Sequence, residues 1–164
     1  MCIRDSFSTA TFHWVLDHPR LFGSLFHALR PGGRLVAQCG GGQNLARIHG
    51  RLGVLMRRTS FARYFAGWRE PWEFADAATT ARRLDAVGFN DIHTNLEWSP
   101  VCLPDAEAFA VFITNVICRP YIANLPEGPV RDEFIARITE QAANDSPQFE
   151  LDYWRLNMDA RRPT

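Results

Sequence analysis

The chain has 164 residues, 46% of them hydrophobic, which suffices for one domain with a substantial core and is short for two. Its 18 basic and 18 acidic residues cancel, so the sequence carries no electrostatic footprint for nucleic acid or for an anionic membrane surface. The longest apolar run covers residues 108–113, far short of the ~20 residues of a membrane span. A small molecule or another protein is therefore the expected partner.

Residues 12–42 predict a helix followed by a buried strand. Asp17 suits the N-cap of the helix, and the residues after it carry an apolar stripe at helical spacing. The helix ends at Pro31-Gly32-Gly33, and the short apolar run 35–37 is typical of a strand covered on both faces. Residues 40–42 are glycines beyond the carboxyl end of that strand. This succession is one repeat of a wound α/β sheet.

The middle of the chain predicts two more helices and a strand. Residues 44–58 have an apolar side and an arginine-rich side, which favours an amphipathic helix. Asp76 caps the next helix, and Gly88 closes it. The alternation of apolar and polar residues over 92–98 then predicts a strand.

The C-terminal third predicts helices and a final strand. Helices resume at Asp105 and continue, through a bent connection, to about residue 147. The last strand covers residues 149–160, where the apolar alternation changes phase, and a β-bulge near Tyr153 would account for the change. Without repeats or a linker, the sequence predicts one compact unit.

A family resemblance is carried by three segments in fixed order: ATFHWVLDHPRLFGSLFHALRPGGRLVAQCGG, PWEFADAATTARRLDAVGF and LDYWRLNMDARRP. Over residues 7–163 they resemble the class I S-adenosylmethionine-dependent methyltransferases. The likeness is greatest to the small-molecule group that includes trans-aconitate methyltransferase-like and biotin-pathway carboxyl methyltransferase-like proteins. Its most specific pieces are FHW and LRPGG.

The resemblance implies an α/β fold, namely the second half of a Rossmann-like sheet of seven strands whose last strand is antiparallel. The segment ending at Thr9 would be strand four, and residues 35–39 would be strand five. Residues 92–98 and 149–160 would be strands six and seven. Residues 105–147 would be a helical cap inserted before the last strand.

The resemblance also implies a partial domain. The family binds its cofactor chiefly through a glycine-rich turn after strand one and an acidic residue after strand two, and this sequence contains neither. Three missing β-α units would amount to roughly 90 residues. Residues 1–6, MCIRDS, look like a translated sequencing-adaptor remnant and are set aside as non-native. Residues 7–164 are then a partial methyltransferase domain, expected to be inactive alone.

The resemblance places S-adenosyl-L-methionine beside Thr9, Ala10 and Phe12, because Thr9-Ala10 stands where the family usually has an Asn-Ala pair. His13 is the first catalytic candidate. An imidazole could act as general base toward a hydroxyl or carbon acid, whereas a carboxylate acceptor is already ionised and needs no base. Packing in the loop and helix is the alternative role for His13.

Substrate contacts are expected at two places. Gly40 and Gly41 would make room beside the mouth of the active site, with a plain turn as the alternative. Arg119 and Tyr121 could together orient a small acidic substrate, with structural capping as the alternative.

The four cysteines form no CxxC pair, and no histidine stands at metal-ligand spacing, so we expect no metal site. Reduced thiols fit a cytoplasmic protein best.

A second hypothesis assigns no catalysis to the chain. An α/β half-domain with an open strand-four edge could associate with another chain through that edge.

Overall fold

The structure, a computed structural model, describes residues 3–164. These residues divide into two compact units rather than the single unit that the sequence predicts. The first unit comprises the chain up to Asn44, Glu70–Ser99 and Tyr153–Thr164, and the second comprises Leu45–Arg69 and Pro100–Asp152. The physical reason is that the helix after Leu45 packs against the helix Pro129–Ala143 of the second unit.

The strands are β1 (Ile3–Thr9), β2 (Leu29–Gly40), β3 (Asn90–Trp98), β4 (Val101–Cys102), β5 (Glu150–Leu151) and β6 (Trp154–Arg161). The helices are α1 (His18–Ala28), α2 (Ala46–Met56), α3 (Ala77–Ala86), α4 (Ala106–Phe112), α5 (Arg119–Ile122) and α6 (Pro129–Ala143). A π-helical stretch covers Ile113–Ile117, and 3-10 turns cover Phe12–Trp14 and Ala62–Tyr64.

The first unit is built on a four-stranded sheet in the order β1-β2-β6-β3. β1 runs parallel to β2, and β6 is antiparallel to both of its neighbours. The predicted α/β sheet with an antiparallel last strand is therefore confirmed. β2 is longer than expected, because its pairing with β1 reaches back to Leu29.

Local capping residues set where the helices α1 and α3 begin and where α3 ends. The Asp17 carboxylate accepts from the Arg20 amide at the start of α1, and the Asp76 carboxylate accepts from the Thr79 amide at the start of α3. Gly88 follows α3 at a φ of +100°, a backbone conformation that L side chains rarely adopt. All three positions match the sequence prediction.

One face of the sheet forms the core of the first unit with α1 and α3. The buried residues are Phe12, Phe22, Leu29, Leu35, Ala37, Cys39, Leu84, Phe89, Leu156, Met158 and Ala160. Alternate residues of each strand point the other way, so Gln38 and Asn157 lie on the opposite face, where they hydrogen-bond to each other at 2.8 Å.

The predicted single strand over residues 149–160 is wrong. Two strands occupy this segment, since β5 pairs with β4 while β6 pairs with β2 and β3. The break falls at Asp152, whose carbonyl accepts from the Leu45 amide and whose carboxylate accepts from the Arg47 amide, each at 3.0 Å. The polar groups of Asp152 bind the start of α2 and do not continue a strand. The change of apolar phase in the sequence therefore marks the passage from one sheet to the other, not a β-bulge.

The second unit is helical apart from the short β4-β5 pair. Its largest fully buried side chains are Leu52, Leu55, Phe61, Phe109, Ile113, Tyr121, Phe134 and Ile138. Ion pairs of Arg47 with Glu150, at 2.7 Å, and of Arg51 with Asp145, at 2.5 Å, tie α2 to the segment around β5. Nowhere in residues 3–164 is there a helix with the length and apolarity to cross a membrane.

Candidate active site

The carboxyl ends of β1 and β2 lie at the same edge of the sheet, because the two strands are parallel neighbours. β1 ends at Thr9 and is followed by Ala10, and β2 ends at Gly40 and is followed by Gly41. At this edge the Ala10 amide, just after β1, donates to the Gln38 carbonyl of β2 at 2.8 Å. Wound α/β sheets hold their ligands outside the carboxyl ends of their strands. The predicted residues at positions 9–13 and 40–41 therefore share the edge where a ligand is expected.

Ala10 turns the chain sharply out of β1. Its φ is 54°, in the left-handed region, and the exposed Thr11 hydroxyl donates back to the Thr9 carbonyl at 2.9 Å. The 3-10 turn that follows directs Phe12 inward, where its ring meets Phe22 edge-on with the ring centroids 6.2 Å apart. Thr9 and Ala10 stay exposed, whereas the Phe12 ring belongs to the core.

His13 is held as a neutral imidazole. The Gly40 amide donates to its Nδ1 at 3.3 Å, so Nε2 carries the proton. The pKa of His13 is lowered to about 4, first because burial disfavours the imidazolium, and then because of the positive charge of Arg155. In this state the ring offers an N–H donor and is a weak base.

A closed set of hydrogen bonds fixes the main chain on both sides of His13. His18 Nε2 donates to the Phe12 carbonyl at 3.1 Å, and Arg83 donates to His18 Nδ1 at 3.0 Å. Arg83 also pairs with the Glu73 carboxylate at 2.5 Å, and the Glu73 amide donates to the His13 carbonyl at 2.8 Å. We call these three residues, His18, Arg83 and Glu73, the turn clamp.

Gly40 and Gly41 are buried and allow close packing at the end of β2. A Cβ on Gly40 would lie 2.7 Å from the Asn44 amide nitrogen, and one on Gly41 would lie 2.5 Å from the Leu156 Cβ. Asn44 completes this corner, since its side-chain oxygen accepts from the Trp154 amide at 3.0 Å. Close packing thus accounts for both glycines, and any substrate contact by them would come from the main chain.

No family model matches the chain. A trans-aconitate 2-methyltransferase from Deinococcus radiodurans is 31% identical over 124 residues, which cover 73% of this chain and 47% of that protein. An uncharacterized methyltransferase from Schizosaccharomyces pombe is 26% identical over 88 residues, covering 51% of this chain and 34% of that protein. A solved structure from Bacillus halodurans C-125, assigned as a methyltransferase, superposes with a TM-score of 0.51 at 13% identity, covering 99% of this chain and 65% of that one.

These relatives point to the class I S-adenosylmethionine-dependent methyltransferases. The predicted family and its Rossmann-like fold are confirmed. In the strand numbering of the class I family, the observed order β1-β2-β6-β3 corresponds to strands four, five, seven and six. The chain spans about half the length of the Deinococcus protein.

The structure places Arg119 and Tyr121, the other residues predicted to contact substrate, in the second unit. Tyr121 is 1% exposed; its hydroxyl lies 2.9 Å from His49 Nδ1, and its ring stacks on Trp68 at 4.7 Å. Arg119 is exposed at the start of α5. The phenol is therefore engaged inside the unit, while the guanidinium faces outward.

Sequence reasoning missed the turn clamp, and it missed the position of Arg155 at this edge of the sheet. His18 reads as a cap-region residue, and Arg83 reads as solvated surface within an arginine doublet. Arg155 lies in the segment predicted as one continuous strand. That prediction does not reveal that β6 begins at Trp154, which sets Arg155 opposite Gly40. The change of apolar phase near Tyr153 was the available signal.

Proposed function

We propose that the protein is part of an S-adenosylmethionine-dependent methyltransferase that acts on a small, acidic metabolite. The observation that carries this proposal is the similarity to a trans-aconitate 2-methyltransferase over 73% of the chain. The geometry supports it, because Thr9, Ala10 and His13 meet the end of β2 at the ligand-binding edge of the sheet.

The residues after β1 fit the proposed cofactor, which supplies a methyl group on a positively charged sulfonium when bound. Thr9, Ala10 and Thr11 are exposed and offer hydroxyl and main-chain groups. His13 adds no like charge, because its lowered pKa of about 4 keeps the ring neutral at physiological pH. We assign Thr9 and Ala10 to cofactor binding, together with the main chain of Phe12.

The state of His13 suits a carboxylate acceptor. Such an acceptor is ionised at neutral pH, so methyl transfer by in-line displacement depends chiefly on holding the reacting atoms in line in a dry site. Nδ1 of His13 is engaged by Gly40, and Nε2 carries a proton that can be donated to an acceptor oxygen. We therefore propose that His13 orients the substrate, with Gly40 and Gly41 contributing main chain. A contribution from Arg119 and Tyr121 remains a prediction.

Calorimetry on the 164-residue chain tests the proposal that it is partial. With no glycine-rich turn after a strand one in its sequence, it should bind S-adenosylhomocysteine weakly or not at all and should show no methyl transfer. Micromolar affinity would contradict this part of the proposal. A longer product of the same reading frame should transfer a labelled methyl group to trans-aconitate or a related polycarboxylate. An upstream frame that encodes no glycine-rich turn after a strand would overturn the assignment.

A second candidate is a non-catalytic half-domain that associates through β1. The observation in its favour is that β1 is a terminal strand of the sheet and pairs, within residues 3–164, with β2 alone. Such an edge presents unpaired backbone groups to another chain.

A further inference from the structure

Arg155 stands at the active-site edge of the sheet although it belongs to a distant part of the chain. It is the second residue of β6, and in the sheet register it lies opposite Gly40 of β2 on one side and Glu97 of β3 on the other. Gly40 is the residue whose amide holds His13. The side chain of Arg155 is half-buried on the sheet face opposite the helices, since Leu156 beside it points into the core.

An aromatic ring holds the guanidinium of Arg155 in place. Its central carbon lies 4.3 Å from the centroid of the Tyr153 ring. Tyr153 is itself buried, so the ring is a fixed surface. Stacking on an aromatic face restrains the plane of a guanidinium and leaves the N–H groups at its rim free to donate.

No carboxylate of the described residues forms an ion pair with Arg155. The partly buried arginines Arg47, Arg51 and Arg83 each have a carboxylate at 2.7 Å or less. Glu97 is the acid directly opposite Arg155, but its carboxylate accepts from the side-chain Nδ2 of Asn157 at 3.0 Å. Among residues 3–164, the rim of the guanidinium is therefore not occupied by an ion-paired carboxylate.

The charge of Arg155 acts on the groups around the site. It contributes to the lowered pKa of His13, and it opposes the effect of burial on the pKa values of Cys39 and Tyr153. A guanidinium with a fixed plane, no ion-paired carboxylate among residues 3–164 and a position beside the candidate catalytic residue is suited to bidentate binding of a carboxylate.

We propose that Arg155, stacked on Tyr153 beside His13, is an anion-binding residue that takes a carboxylate of the bound ligand. This inference rests on the proposed function, and it names the residue that would bind the acidic group of the ligand. Two sources share this chemistry, namely the acceptor substrate and the amino-acid portion of the cofactor. The experiment separates them.

The test follows the Arg155 Nε–H signal in two-dimensional NMR spectra of the full chain during titrations. The probes are propane-1,2,3-tricarboxylate, S-adenosylhomocysteine and, as an uncharged control, propionamide. We expect a saturable shift with the tricarboxylate and none with propionamide. A shift with S-adenosylhomocysteine alone also supports carboxylate binding by Arg155 and assigns it to the cofactor. A signal that no carboxylate moves overturns the inference.

Variants supply the second measurement. R155Q should weaken tricarboxylate binding by about tenfold or more, the loss of a charge-assisted hydrogen bond, and R155K should fall between R155Q and wild type because it keeps the charge and loses the fork. R20Q, which changes an exposed arginine of α1, should bind as wild type does. If R155Q and R20Q bind equally well, the inference is wrong.

A third readout excludes a merely structural role. In wild type, saturating tricarboxylate should raise the pKa of His13, because the bound anion offsets the Arg155 charge that helps to lower it. R155Q should show a raised His13 pKa that no longer responds to the anion. These measurements need no methyl transfer, so they can fail while the longer protein is an active methyltransferase, and they can succeed while it is inactive.

Discussion

Two histidines near the end of β1 have hydrogen-bond patterns that give them separate roles. His18 is 1% exposed, donates from Nε2 to the Phe12 carbonyl and accepts at Nδ1 from Arg83. Because arginine only donates, this pattern fixes the neutral tautomer of His18. His13 keeps its Nε2 proton available at the edge of the sheet. His18 thus positions the turn, and His13 is the residue that the turn presents.

The turn clamp predicts that two adjacent arginines of α3 differ in their contribution to stability. R83Q should lower the free energy of unfolding by about 1–3 kcal/mol, because it leaves the buried Nδ1 of His18 without its donor and Glu73 without its cation. R82Q is the matched control, since Arg82 is exposed and bonds only to the Thr79 hydroxyl among the contacts of the described residues. Urea denaturation of the two variants measures the difference, and equal losses would contradict the clamp.

The sequence does not distinguish these arginines, because the helical pattern turns both away from the apolar stripe of α3. What separates them is His18, 65 residues from Arg83 along the chain. A local pattern identifies Asp17 as a helix cap, and the family resemblance identifies His13 as the catalytic candidate. The closure of the clamp and the place of Arg155 beside Gly40 depend on the tertiary fold.

At the level of elements, helix starts are predictable where the cap is local. Asp17, Asp76 and Asp105 each accept an amide three residues ahead, and the sequence pattern shows all three. The start of α2 is different, because Leu45 stands at the N-cap position and supplies no side-chain bond. Asp152 accepts from the Arg47 amide instead, across 105 residues. No periodicity reveals such a cap, which is also why the break between β5 and β6 was not predicted.

This distant cap gives a prediction for α2. D152A should lower the free energy of unfolding by about 1–2 kcal/mol, in the range of a lost N-cap, because the second amide of the helix would lose its acceptor. D152N keeps an oxygen in place and should restore most of the loss. D105A, which removes the local cap of α4, sets the scale for comparison. Denaturant unfolding followed by circular dichroism makes the measurement. A D152A variant as stable as wild type would show that the helix start needs no cap.

For the whole molecule, the order β1-β2-β6-β3 follows from family resemblance and not from periodicity. Alternating residues identify each strand, but they do not show which strands are neighbours. The division into two units was missed for a related reason. The apolar stripe of α2 would suit a helix against the sheet as well as one among helices, and only its packing with α6 assigns it to the second unit.

The four-stranded sheet ends on β1 at one edge and on β3 at the other, and the β1 edge carries the last prediction. β1 is a terminal strand, and Phe7 on it is 77% exposed. A terminal strand that pairs on one side, with a large apolar side chain, favours strand-to-strand association. At high micromolar concentration we therefore expect light scattering to give a mass above the 18.7 kDa of one chain.

F7K should shift the protein toward the monomer, because a lysine on an edge strand opposes pairing. L16K is the matched control, since Leu16 is 58% exposed in the same unit and lies outside any strand. A wild-type protein that stays monomeric over the whole concentration range, or an L16K variant that dissociates as readily as F7K, would exclude association through β1.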